Sequence, residues 1–172
     1  MKNSIKKPNI LFIITDDQGE WAVESEKNRD IKTPNLKRLA NQGVTFDEFY
    51  CTSPVCSPAR ASIVTGKIPS CHGVQDWLKK GNLDAYKYPN MAELPGFDMT
   101  DKAIDYLKDH KTYIQYLADN GYNCALSGKW HLGDNITRKK GFKYYFTIGV
   151  VAATIIRQIY LITIRYQFPR NI

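Results

Sequence analysis

Cys56, Pro58 and Arg60 alternate with small residues in Cys56-Ser57-Pro58-Ala59-Arg60, and Ala61-Ser62-Ile63-Val64-Thr65-Gly66 follows directly. Proline presets the backbone angle of a first helical turn, and the apolar positions beyond Pro58 fit a short helix that Gly66 ends. Cys56 is thereby predicted at a helix N-terminus. Unpaired N–H groups and the positive end of the helix dipole favour an anion there, and they ease ionisation of a thiol. Arg60 lies one helical turn further on, so its guanidinium shares the face of Cys56 and can bind the same anion. The chemistry is that of a nucleophile beside an oxyanion clamp; the structural alternative is a buried cysteine in a proline-bent loop.

Two further groups carry chemistry. Gly128-Lys129-Trp130-His131-Leu132-Gly133 follows a predicted strand. In extended chain, residues two apart project together, which aims Lys129 and His131 one way and packs Trp130 on the other face. A lysine and a histidine side by side can bind an anionic oxygen and move a proton, whereas an isolated Lys-x-His reads as a charged loop with a satisfied histidine. Asp16-Asp17 closes the apolar run Asn9 to Thr15. In open α/β sheets the ligand crevice lies outside the C-terminal ends of the strands, and adjacent carboxylates there suit a hard divalent cation. A turn with an aspartate helix cap is the alternative for an isolated Asp-Asp pair.

Cys-x-Pro-x-Arg followed by four residues and Thr-Gly is similar to the signature of the sulfatase family, and Gly-Lys-Trp-His-Leu-Gly at 128–133 resembles a second segment of that family. Pro8 to Leu11 running into Thr15-Asp16-Asp17-Gln18 resembles its first metal-binding strand, and Thr33-Pro34-Asn35-Leu36 with Gly43-Val44-Thr45-Phe46 resembles its scaffold. The resemblance implies a sulfuric ester hydrolase. In it, Cys56 would be oxidised to formylglycine, Asp16 and Asp17 would hold one Ca2+ together with the residue at 56, and Arg60 and Lys129 would stabilise charge. His131 would orient the formylglycine hydroxyl and handle its proton. The implied partners are a small-molecule or carbohydrate sulfate ester and a maturing enzyme, either formylglycine-generating or of the anaerobic sulfatase-maturing kind. Alternatives of other kinds are a related phosphate or phosphonate ester hydrolase of the alkaline-phosphatase superfamily, and an inactive truncated fragment.

The elements needed to position these residues are legible along the chain. Asn9 to Thr15 reads as a strand buried on both faces of a parallel sheet. Thr33 caps a helix opened by Pro34, with Leu36, Leu39 and Ala40 on one face and Gly43 as a left-handed stop. Val44 to Tyr50 alternates as a strand that delivers the chain to Cys56. Lys67 and His72 follow the nucleophile helix and are assigned to a loop outside the site. Gln75 to Met99 reads as an irregular excursion suited to setting substrate choice. Asp101 to His110 has helical periodicity, with Thr100 as a possible cap. Thr112 caps the next helix, Asn120-Gly121 stops it, and Tyr122 to Ser127 returns as a strand. The implied fold is α/β, a mainly parallel sheet flanked by helices, like an incomplete N-terminal domain of the alkaline-phosphatase-like sulfatase fold.

The family likeness covers 1–149 as a partial domain. Val150 to Ile172 is rich in isoleucine, lacks any acid and carries no family likeness, which points to a shifted or truncated reading frame. A membrane helix needs about 20 mainly apolar residues, and Arg157 and Arg165 interrupt the run. With 172 residues and 43% hydrophobic content the chain suits one globular domain. The net charge of +7 suits an anionic substrate, yet the lysines are dispersed and no nucleic-acid-binding module is present. Cys51, Cys56, Cys71 and Cys124 form no CxxC pair, so neither structural zinc nor a disulfide framework is implied. Ile10 to Ile14 is too short for a signal-peptide core, so a cytoplasmic location is expected as written, and a periplasmic or secreted one if the start lies elsewhere.

Overall fold

The apolar run after Asn9 forms β1 (Ile10–Ile14), with β2 (Tyr122–Gly128), β3 (Phe142–Thr147) and β4 (Tyr160–Tyr166) completing one sheet. The computed structural model describes residues 7–25, 27–87, 101–147 and 160–166. The strand order is β1-β4-β2-β3. β2 and β3 pair in parallel, whereas β4 pairs antiparallel with β1 on one edge and with β2 on the other. Three of the four strands therefore run the same way, the mainly parallel α/β arrangement expected. Part of the stretch from Val150 onward is thus a central strand: Ile164 lies opposite Ile10 and Cys124 at once. A strand flanked on both edges favours the β-branched composition that sets this segment apart.

Four helices accompany the sheet among the described residues: α1 (Pro34–Gln42), α2 (Cys56–Thr65), α3 (Pro69–His72) and α4 (Tyr113–Asp119). Gly66 ends α2 at φ +68°, its N–H donating to Ser62 O at 2.8 Å, a conformation that glycine adopts without a Cβ clash. Thr112 begins α4 with a reciprocal cap, accepting from the Gln115 N–H while its own N–H donates to Gln115 Oε1 at 2.6 Å. The core forms where α2 (Ala61, Val64) and α4 (Ile114) meet β2 (Cys124, Leu126) and the turn after it (Trp130, Leu132). Trp130 stands edge-on to Phe142 at 5.9 Å and to Tyr145 at 6.3 Å, closing that core over β3.

Several expected features are corrected. Val44 to Tyr50 is no strand: among the described residues none pairs with it, and Val44, Phe46, Phe49 and Tyr50 are exposed. Without cross-strand hydrogen bonds an alternating pattern of side chains makes no strand. Among the described residues β1 is an edge strand whose Leu11, Phe12 and Ile13 are exposed rather than buried on both faces, with Tyr113 at the start of α4 standing edge-on to Phe12 at 6.3 Å. Residues 101–110 form a turn, not a helix: the Asp105 carboxylate captures the Leu107 N–H at 3.1 Å, and the Ile104 N–H donates to Gly81 O at 2.9 Å. Thr33 precedes α1 but its hydroxyl accepts from the Glu24 N–H at 2.9 Å instead of capping, and Gly43 leaves α1 at φ −132°. Thr100 and the stretch 88–99 of the expected excursion lie outside the described residues.

Candidate active site

The first turn of α2 carries Cys56 at its first helical position, after Val55 in extended conformation. Arg60, one turn later, is buried and turns back along the helix, donating from Nη1 to Lys129 O at 3.2 Å. Its Nη2 lies 3.6 Å from Asp16 Oδ1, and Lys129 Nζ donates to Asp16 Oδ2 at 2.8 Å. One carboxylate at the end of β1 therefore ties together the cation of α2 and the cation that follows β2. His131, wholly buried, brings Nδ1 to 3.3 Å from Cys56 Sγ. Five of the six residues predicted from sequence converge here: Cys56, Arg60, Lys129, His131 and Asp16.

Asp17 is the sixth. It is exposed and sits at φ +52°; His131 is at φ +55°, and these are the two non-glycine residues of positive φ among the described residues. Aspartate and histidine tolerate this region better than bulkier residues, and such angles persist where surrounding contacts hold them. Asp16, Asp17 and Cys56 do not gather into a metal-holding group: no cluster of three or more His, Cys, Asp or Glu with such a disposition occurs among the described residues.

The histidine's proton is assigned by its surroundings. Nε2 lies 3.3 Å from Leu78 O, and a carbonyl only accepts, so in the neutral ring Nε2 carries the hydrogen. Nδ1 then presents its lone pair to the side chain at 56, whose S–H donates. Burial, seconded by the Lys129 charge, pushes the His131 pKa down to about 4, so the ring is neutral near pH 7. Trp77 covers it edge-on at 6.1 Å.

Four residues that the sequence did not single out hold this ring. The Leu78 N–H donates to Ser57 Oγ at 3.2 Å, linking the loop to the residue after Cys56. Asn82 Nδ2 donates to Leu78 O at 3.1 Å, the same carbonyl that receives Nε2 of His131. Asn135 Oδ1 accepts from the His131 N–H at 3.1 Å. The local signal for these was an asparagine four residues beyond His131, a spacing from which its side chain can bond back to the backbone. His72, expected in a loop, instead closes α3 and is buried: Nε2 faces Ser62 Oγ at 3.0 Å and Nδ1 accepts from the Val74 N–H. Lys67 Nζ lies 3.1 Å from His110 Nδ1.

No helix among the described residues is long and apolar enough to cross a membrane. No solved structure matches the chain. Curated relatives do. Human steryl-sulfatase is 31% identical over 86% of this chain and 24% of its own length. N-acetylglucosamine-6-O-sulfatase of Bacteroides thetaiotaomicron is 32% identical over 84% of this chain and 21% of its own. Mouse arylsulfatase J is 33% identical over 81% and 21% respectively. The chain thus spans about a quarter or less of the length of these relatives. The family model named Sulfatase matches residues 8–160, from the approach to β1 through Cys56 and His131 to the first residue of β4, and the chain belongs to the sulfatase family.

Proposed function

We propose that this chain carries the nucleophile-bearing part of a sulfatase active site, for hydrolysis of a sulfate ester, with Cys56 as the residue oxidised to formylglycine by a maturing enzyme. The observation that supports the reading is the approach of His131 Nδ1 to Cys56 Sγ at 3.3 Å beside two cations held on Asp16. The hydrated aldehyde supplies a hydroxyl to attack sulfur, and a divalent ion supplies positive charge to the sulfate oxygens. Asp16 and Asp17 fit such an ion by donor type, two adjacent carboxylates after a strand. Ca2+ takes about six to eight oxygens, more than these residues and position 56 provide.

Arg60 and Lys129 set positive charge beside position 56, where the sulfate would sit and where charge grows as its ester bond breaks. Asp16 restrains both cations and fixes their spacing. His131 accepts a proton at Nδ1 from a hydroxyl at position 56, and its Nε2 anchor on Leu78 O keeps that lone pair aimed there. Burial of His131 under Trp77 keeps water from the basic nitrogen. The relatives' names span steryl, amino-sugar and aryl sulfates, so the substrate is proposed as a sulfate ester by class.

The test is the mass of the peptide spanning Cys56, from protein made with a maturing enzyme, beside turnover of an aryl sulfate and an aryl phosphate. A formylglycine mass with preference for the sulfate, abolished in Cys56→Ala, is the expected result. An unmodified cysteine under those conditions, or cleavage retained in Cys56→Ala, overturns the reading. Preference for the phosphate reassigns the site to the related ester hydrolases.

A further inference from the structure

Nδ1 of His131 faces position 56 in either tautomer, and the backbone at 131 alone does not decide which ring nitrogen carries the hydrogen. The choice rests on one carbonyl, Leu78 O, and on what holds that carbonyl in place. The Leu78 peptide is tied at both ends, with its N–H on Ser57 Oγ and its oxygen shared by His131 Nε2 and Asn82 Nδ2. Asn82 is held in turn by Asn135, which is fully buried. The Asn135 N–H donates to Asn82 O at 2.7 Å, and its Nδ2 lies 3.4 Å from Asn82 Oδ1. Asn135 Oδ1 takes the N–H of His131 itself at 3.1 Å, and its own carbonyl accepts from Thr147 Oγ1 at the end of β3. The amide of Asn135 therefore uses its acceptor on the backbone of His131 and its donor on the residue that shares His131's acceptor.

We propose that Asn135 is a positioning residue that holds His131 as the Nε2–H tautomer, fixing the left-handed backbone at 131 with Oδ1 and the Leu78 carbonyl through Asn82 with Nδ2. It touches neither position 56 nor any substrate; it acts through His131. Buried polar groups with every bond satisfied specify one arrangement, whereas loss of one partner leaves the remaining groups free to repack. A second asparagine at 82 makes the linkage directional, since each amide both donates and accepts. The significance of the tautomer rests on the sulfatase reading of His131 as proton acceptor; the tautomer itself does not.

The chain contains three histidines, His72, His110 and His131, so long-range 1H–15N spectra of the full-length, histidine-labelled, unmodified chain resolve each ring. His131 is expected as a single Nε2–H tautomer in the native chain. In Asn135→Ala, signals of both tautomers are expected at His131 while the buried His72 ring keeps its native pattern. In Asn135→Asp, which retains the acceptor for the His131 N–H, the mixture is expected to be smaller. A His131 tautomer unchanged in Asn135→Ala overturns the proposal. So does a change at His72 that accompanies the change at His131, because Asn135 would then support the fold at large. Neither outcome depends on turnover or formylglycine, so failure of the sulfatase reading is seen separately in the Cys56 mass measurement.

Discussion

Lowering the pH from 7 to 5 should destabilise this chain through its buried histidines. His131 is wholly buried and held neutral, its pKa pushed down to about 4 by burial and by the Lys129 charge, against an ordinary value of 6.5. A histidine whose folded pKa is lowered contributes stability that is complete above the unfolded value and is lost as pH falls through 6.5 toward about 4, because the unfolded chain binds the proton first. The gap corresponds to a ceiling of roughly 3 kcal/mol, and about 2 kcal/mol of it is lost between pH 7 and pH 5. That is a large share of the roughly 5–15 kcal/mol typical of a domain. His72, also buried and shifted the same way by desolvation, adds to the loss. Carboxylates with lowered pKa, such as Asp134, take effect below this window. Urea unfolding of the native chain and His131→Asn, in chelator-containing buffer, measures the effect. The native midpoint should fall on acidification, and the variant should keep only the part due to His72. A midpoint independent of pH from 7 to 5, or an undiminished drop in His131→Asn, would refute the reasoning.

Other perturbations have defined outcomes. Lys129→Met removes the 2.8 Å partner of Asp16, a carboxylate left 29% exposed and still 3.6 Å from Arg60. It should cost about 1–3 kcal/mol in chemical denaturation, less than breaking a wholly buried pair, and no change in midpoint would show that Asp16 is solvated enough to need no lysine. Trp130→Ala empties the space beside Phe142 and Tyr145, for roughly 3–5 kcal/mol, with Trp130→Phe losing less; equal stability of the two variants would contradict the packing described. Gly133→Ala places a Cβ at φ +78° against Ile104 O, so the backbone must shift. The melting temperature should fall by the equivalent of more than about 1 kcal/mol, and an unaltered melting curve would rule out that close approach. Thr112→Ala deletes one half of the cap of α4 and should cost about 1 kcal/mol, measured by the same urea midpoint.

What the sequence determined by itself was local. Pro58 in the first turn and Gly66 just past the last mark out α2, and Thr112 with Gln115 caps α4, because the groups involved lie within a few residues and need no help from elsewhere. The site residues were legible in combination: an Asp-Asp pair or a Lys-x-His alone reads as a capped turn or a charged loop, and it is the likeness of these segments together with the Cys56 motif to one family that singled them out. Local periodicity misled where tertiary partners decide. Val44 to Tyr50 alternates but pairs with no strand among the described residues, and the helical pattern at 101–110 loses to the Asp105 side chain and to Gly81. Only the tertiary structure placed β4 between β1 and β2, where edge pairing on both sides fixes it. Only it put Asp16 on Lys129 across 113 positions and Cys56 against His131 across 75. The hydrogen on His131 Nε2 is decided the same way, by a Leu78 carbonyl 53 positions away that can only accept, a constraint that exists once the chain has folded.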